Sequence, residues 1–215
     1  MNESDSAVYV VFSATPTRMG QLIRFATGHP YNHVSLSLSG DIQRMYSFAR
    51  YYRRVPLYGG FVEESILRYA SFAGQARVKI CRIPLDARQQ TYLRCHLQRL
   101  WDNRTDYIYN TPGALTSLLH RSFFLPKTHT CVTFVSDILS RCQLMDAGQN
   151  QCPTIHQLEL LLADFSVYEG PVPIPSNLES WGQDTFPQET TTRYAVFTTA
   201  RHFGRLARRA IFGVV

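Results

Sequence analysis

The sequence predicts an α+β fold, and three observations carry that prediction. Residues 7–12, Ala-Val-Tyr-Val-Val-Phe, are continuously apolar and rich in β-branched and aromatic side chains, as in a central strand covered on both faces. Residues 32–38 alternate strictly, turn at Ser39-Gly40-Asp41 and lead into a second strand over 43–48, which is the pattern of a β-hairpin. Around these strands lie stretches with apolar residues at helical spacing behind capping residues.

Taken in order, the first strand turns at residues 13–16. Pro16 then stands near the start of a helix in which Met19, Leu22, Ile23 and Ala26 recur at helical spacing, ending near Gly28. In the hairpin, Val34, Leu36 and Leu38 share one face and His33, Ser35 and Ser37 the other. The serine face is either wet or leaves room for a helix whose end meets His33. From Arg50 to Glu64 the chain is aromatic and charged, with the pair Gly59-Gly60 and no regular period, and is expected to be a loop, at the surface or lining a cleft. Residues 77–83 alternate as a strand with Cys81 toward the core. Residues 86–101 form a helix packed through Tyr92, Cys95, Leu97, Leu100 and Trp101. Cys95 and His96 are adjacent on that helix and diverge, so they are no catalytic pair. Residues 102–112 are turn-rich and 113–119 a short helix. Thr154 caps a helix through 162, and 165–170 form a closing strand before Gly170, Pro171, Pro173 and Pro175.

Whole-chain numbers bound the rest. At 215 residues and 45% hydrophobic, the chain is long enough for one well-buried core, expected over 1–175. Residues 176–192 read as a polar linker. Beyond it, Tyr194, Phe197, Ala200, Leu206, Ala207, Ala210 and Ile211 form a loose apolar stripe among Arg193, Arg201, Arg205, Arg208 and Arg209. That basic amphipathic segment suits an anionic membrane surface, an acidic protein partner, or packing on its own domain. The net charge of +6 comes without a nucleic-acid-binding motif, so no nucleic acid is expected. Five irregularly spaced cysteines favour reduced thiols, and Glu3 and Asp5 stand where an export signal would carry basic residues. The expected location is cytoplasmic.

Residues 128–139, Thr-His-Thr-Cys-Val-Thr-Phe-Val-Ser-Asp-Ile-Leu, read as a loop feeding a helix, with Thr128 or Thr130 as cap and Val132, Val135, Ile138 and Leu139 as its buried face. Cys131 therefore sits at the helix N-terminus, where free amides and the positive end of the helix dipole favour thiolate over thiol. The plainer reading is a buried core cysteine. A zinc site drawn from His129, Cys131, Cys142, Cys152 and His156 is a further alternative, weakened by the lack of a tight cysteine pair.

Cys131 follows His33, the reverse of the order in papain. The series Asn32-His33-Val34-Ser35-Leu36, Met45-Tyr46-Ser47-Phe48, Gly59-Gly60-Phe61-Val62, Thr130-Cys131-x-x-Phe134-Val135 and Tyr168-Glu169-Gly170 resembles the circularly permuted NlpC-type, papain-like cysteine hydrolases, a group that includes relatives of lecithin retinol acyltransferase. The resemblance spans residues 8–170. It implies a helix bearing the nucleophile packed on an antiparallel sheet bearing the histidine. In that scheme Cys131 is the nucleophile, His33 the general base and acid, and Ser47 the nearest candidate for the third, ring-orienting residue, although the family favours His, Asn or Gln there. The backbone N–H of Cys131 would be one oxyanion donor. His129 is an alternative base, two residues from the thiol.

The implied activity is hydrolysis of an amide or peptide bond, cell-wall-type peptides included, through a thioacyl intermediate and without cofactor or metal. Lipid acyl transfer or phospholipase action by the same dyad, and a non-catalytic binding module that keeps the fold, are the alternatives.

Overall fold

The structure, a computed structural model, describes residues 6–15, 17–70, 76–117, 123–145, 154–174, 176 and 182–213. Pro16, residues 118–119 of the expected short helix, Cys152, Pro175 and residues 177–181 of the expected linker lie outside them.

The first strand, β1 (Ala7–Ala14), is central, paired antiparallel with both β2 (His33–Ser37) and β5 (Arg77–Pro84). Its continuous apolarity has the expected cause. Val8, Val10 and Phe12 belong to the larger core cluster and Val11 to a second one. Between β1 and β2, helix α1 (Arg18–Thr27) is capped by Thr17 and ends on Gly28 in the left-handed conformation.

The hairpin forms between β2 and β3 (Arg44–Arg50). The expected loop after it contains a strand, β4 (Gly59–Ser65), antiparallel to β3 with Ser47 opposite Val62 and Met45 opposite Glu64. Glycine has poor strand propensity, which hides this element in the sequence. Here the pair serves close packing. A Cβ on Gly60 would lie 2.6 Å from the Tyr107 carbonyl oxygen and collide with the Tyr51 hydroxyl.

After β4 come a single turn of helix, α2 (Leu67–Ala70), then β5 and α3 (Ala87–Asp102). Asp86 and Gln89 form a capping box at the start of α3. Its buried stripe is Leu93, Leu97 and Leu100, so Cys95, expected to pack, falls outside the stripe and is exposed. Two-residue strands β6 (Ile108–Tyr109) and β7 (Thr128–His129) flank α4 (Thr111–Ser117) and pair parallel. A helix between two strands returns the chain in its original direction, so the sheet is mixed and not purely antiparallel.

Helix α5 (Cys131–Arg141) packs on β2 and β3. It is followed by α6 (Ile155–Leu161), a 3-10 turn (Ala163–Phe165), edge strand β8 (Ser166–Pro171) and α7 (Thr192–Phe212). The sheet order is β7-β6-β4-β3-β2-β1-β5-β8. One face carries Val34, Leu36, Phe48 and Phe61 against α3, α5 and α6; the other carries Val11, Met45 and Val78.

Residues 182–191 bind back onto the sheet. Asp184 and Phe186 are buried, Arg53 N–H donates to the Phe186 carbonyl, and the Thr185 hydroxyl donates to the Tyr51 carbonyl at 2.8 Å. Arg205 and Arg209 of α7 donate to the carbonyls of Thr105 and Lys127, 2.5 Å and 2.8 Å away. Among the described residues no helix is long and apolar enough to cross a membrane.

Gly60→Ala should lower stability by about 1–3 kcal/mol through overpacking, read as a reduced denaturant midpoint with the far-ultraviolet circular dichroism of the native state retained.

Candidate active site

The nucleophile candidate is placed by a helix start. Thr130 adopts extended backbone angles and its hydroxyl accepts from the Thr133 N–H at 3.2 Å, while the Thr133 hydroxyl accepts from the Thr130 N–H at 2.8 Å. This capping box makes Cys131 the first helical residue. The amide of Phe134 is already in the helical ladder, bonded to the Thr130 carbonyl. The amides of Cys131 and Val132 precede the ladder and have no helical carbonyl to reach. They are the donors such a site offers to an anion.

His33 is the first residue of β2, at the end of the sheet. It belongs to the face that also carries Val11, Ser35, Ser47 and Glu64, whereas α5 lies on the opposite face. From the strand's end one ring serves both sides. Nε2 lies 2.8 Å from Glu64 Oε1 and 3.2 Å from the Ser35 hydroxyl, and the Cys131 thiol is near enough to raise the ring's basicity.

The serine face is therefore not wet, and Arg68 and Tyr69 of the short helix α2 pack over it. It is a buried polar layer built around Glu64, which is fully inaccessible to solvent. Oε1 accepts from Ser47 Oγ at 2.6 Å and Arg68 Nη1 at 3.3 Å, besides facing His33. Oε2 accepts from Ser35 Oγ at 2.9 Å and Tyr69 Oη at 2.6 Å. Behind Glu64, Arg68 forks onto Asp184, with Nη2 to Oδ1 at 2.6 Å and Nε to Oδ2 at 3.0 Å, and its guanidinium lies 4.5 Å above the Phe186 ring. Asp184 also accepts from the Ser65 N–H at 2.9 Å.

Charge alternates along His33, Glu64, Arg68 and Asp184. Burial on its own would favour a neutral imidazole, but the Glu64 carboxylate, with help from Cys131, outweighs it and His33 is pushed up to about 10. Burial would likewise raise Glu64, yet His33 and Arg68 hold it well below the usual carboxylate range. Tyr109, paired beside His129, is raised first by burial and then by the nearby Cys131 sulfur, with Arg50 opposing.

Cys131, at the start of α5, thus lies near enough to His33 to act on its basicity. The Ser47 hydroxyl donates to Glu64, and the groups bonded to His33 Nε2 are the Glu64 carboxylate and the Ser35 hydroxyl. Glu64, Arg68, Tyr69 and Asp184 were not anticipated. Their one signal in the sequence was the Phe61-Val62-Glu63-Glu64 stretch, which puts an acidic residue on a strand face once residues 59–65 are read as a strand. The alternative base His129 packs its ring on Phe48 at 5.0 Å between centroids, and burial lowers its basicity. Cys81, Cys95, Cys131 and Cys142 are free thiols. Of the zinc set considered from sequence, only His156 belongs to a group of candidate metal ligands among the described residues, and its companions are His29 and Glu159.

Comparison with protein-family models, curated proteins and solved structures finds no match for the chain. The chemistry of the site has to be read from its own geometry.

Because the folded His33 ring binds its proton more tightly than a free side chain of pKa 6.5, its contribution to stability is complete below pH 6.5 and is lost as pH rises through about 10. Denaturant titrations across that window should show stability falling with pH, and Glu64→Gln should flatten this component of the slope. Asp184→Asn should cost about 3 kcal/mol in the same assay, since it leaves one half of a buried ion pair.

Proposed function

We propose that the chain is a cysteine hydrolase of the permuted papain-like type that cleaves an amide or peptide bond, cell-wall-type peptides included. The observation that supports the reading is an imidazole bonded to a buried carboxylate and raised further in basicity by a thiol at a helix N-terminus. Cys131 is the nucleophile, His33 the acid and base, and Glu64 the residue that orients and charges the ring. This is the division of labour a nucleophile, base and orienting group require.

At neutral pH His33 carries the proton and its positive charge stabilises a thiolate beside it. Sγ attacks the carbonyl carbon, and the oxygen takes up negative charge facing the first-turn amides of α5. As the C–N bond breaks, His33 gives its proton to the leaving amine, which departs neutral and leaves a thioester. The neutral ring then accepts a proton from water as the hydroxide adds to the thioester. Collapse expels the thiolate and releases a carboxylic acid, with His33 again protonated. Cys131 is 6% exposed and the His33 side chain 14% exposed, so the pair is largely shielded from solvent.

Acyl transfer from a lipid ester is the second reading, using the same dyad with a different acceptor. The observation on its side is the outward face of α7, where Val196, Phe197, Ile211 and Phe212 are exposed beside exposed Arg201 and Arg208. That combination suits an anionic membrane surface better than an acidic protein partner.

Iodoacetamide at neutral pH should alkylate Cys131 faster than the other four cysteines, and His33→Ala should abolish the excess. Equal labelling of all five would favour a non-catalytic binding module. Intact-mass analysis after exposure to mixed peptide and phospholipid substrates should show an acyl adduct that Cys131→Ala removes, with its mass distinguishing the two substrate classes. Turnover on whichever substrate acylates it should drop about 10²–10⁴-fold in His33→Ala.

A further inference from the structure

We propose that His29, His156 and Glu159 form a binding site for one divalent transition-metal ion of the zinc class, separate from the thiol site. The three residues come from two parts of the fold. His29 lies in the connection between α1 and β2, four residues before His33; His156 and Glu159 are one turn apart on α6 and share a face. One ligand atom from each falls within 4.8 Å of the others.

The disposition of His29 is what a metal-bound imidazole needs. Its Nδ1 is engaged by the backbone of Tyr31, with the N–H at 3.3 Å and the carbonyl at 3.2 Å, and these contacts hold the ring with Nε2 toward Glu159. Nε2 faces Glu159 Oε2 at 3.0 Å. With Nδ1 accepting from the Tyr31 N–H, Nε2 carries the ring hydrogen and donates it to Glu159; an ion at Nε2 would take that place, with the ring hydrogen moving to Nδ1 and the Tyr31 carbonyl accepting it. The other carboxylate oxygen, Oε1, is held by Lys79 Nζ at 2.6 Å, so one oxygen is anchored and the other is left for a ligand. The His156 ring stands 4.8 Å from that of His29 between centroids, and its side chain is exposed and free to swing inward.

Zinc bonds of about 2.0–2.2 Å require ligand atoms about 3.3 Å apart in a tetrahedron. The His29–Glu159 contact already meets that separation, and a change of rotamer at His156 brings in the third. Two imidazoles and one carboxylate match zinc and its neighbours rather than calcium or magnesium, which take oxygen ligands. The fourth position opens to solvent on the His156 side. A bound ion would displace the proton between His29 and Glu159 and clip α6 to the segment that leads into His33.

The test is calorimetric titration of ZnCl2 into the full-length Cys131→Ser protein, so that the thiol site cannot bind the ion, followed by the same titration after His156→Ala and after Glu159→Gln. The expected result is one equivalent bound, with affinity reduced at least tenfold by His156→Ala, and a zinc-dependent rise in melting temperature that the same substitution removes. Because His156 is exposed, that variant should fold normally. Substitution with Co2+ should give visible d–d absorption without a thiolate charge-transfer band. Absence of zinc binding, binding undiminished in both variants, or a cobalt spectrum showing thiolate ligation would each overturn the proposal, and the first would leave His29, Glu159 and Lys79 as an ordinary ion-pair cluster.

Discussion

A carboxylate removed entirely from water is the constraint around which the site is built. An isolated buried charge costs many kcal/mol, so Glu64 is tenable only because five groups approach its two oxygens, two of them cationic. Each partner is in turn committed. Ser35 and Ser47 must be small hydroxyl-bearing strand residues, Tyr69 must enter from α2, and Arg68 must itself be neutralised, which Asp184 does from far along the chain. The raised basicity of His33 is a product of this cage. Remove the carboxylate and burial would turn the same ring into a neutral base.

The way charge and topology cooperate explains why strand ends matter here. His33 stands where the sheet stops, so its ring joins the polar layer on one face while the N-terminus of α5 lies near it on the other. The short parallel pair β6–β7 sets the direction from which the chain enters α5, and the Thr130–Thr133 box fixes where that helix begins. Together these bring the Cys131 thiol, buried at the edge of the core, to the end of the sheet that carries His33.

Much of this was visible in the residues alone. The apolar run of β1, the alternation of β2, the Gly28 stop and the threonine-capped start at Cys131 each follow from local chemistry, and the structure bears them out. What local chemistry could not supply was partnership at a distance. Gly59 and Gly60 lower strand propensity, and their need for close packing against Ala49 and Tyr51 exists only in the folded sheet. With β4 unread, Glu64 had no face, and the place beside the His33 ring fell to Ser47, which in the structure donates its hydroxyl to Glu64. Residues 182–191 looked like linker because polar stretches usually are, yet Asp184 and Phe186 complete the Arg68 cage. The trio His29, His156 and Glu159 was invisible for the same reason, since its members are brought together only by the packing of α6.

The most direct measurement is the titration of the His33 imidazole followed by 15N-resolved nuclear magnetic resonance, in the unmodified protein and in Cys131→Ala. If one ring is shared between Glu64 and the thiol, its midpoint lies near 10 and moves down when the sulfur is removed. A midpoint near the 6.5 of a free histidine, unchanged by loss of Cys131, would contradict the shared ring and with it the catalytic reading.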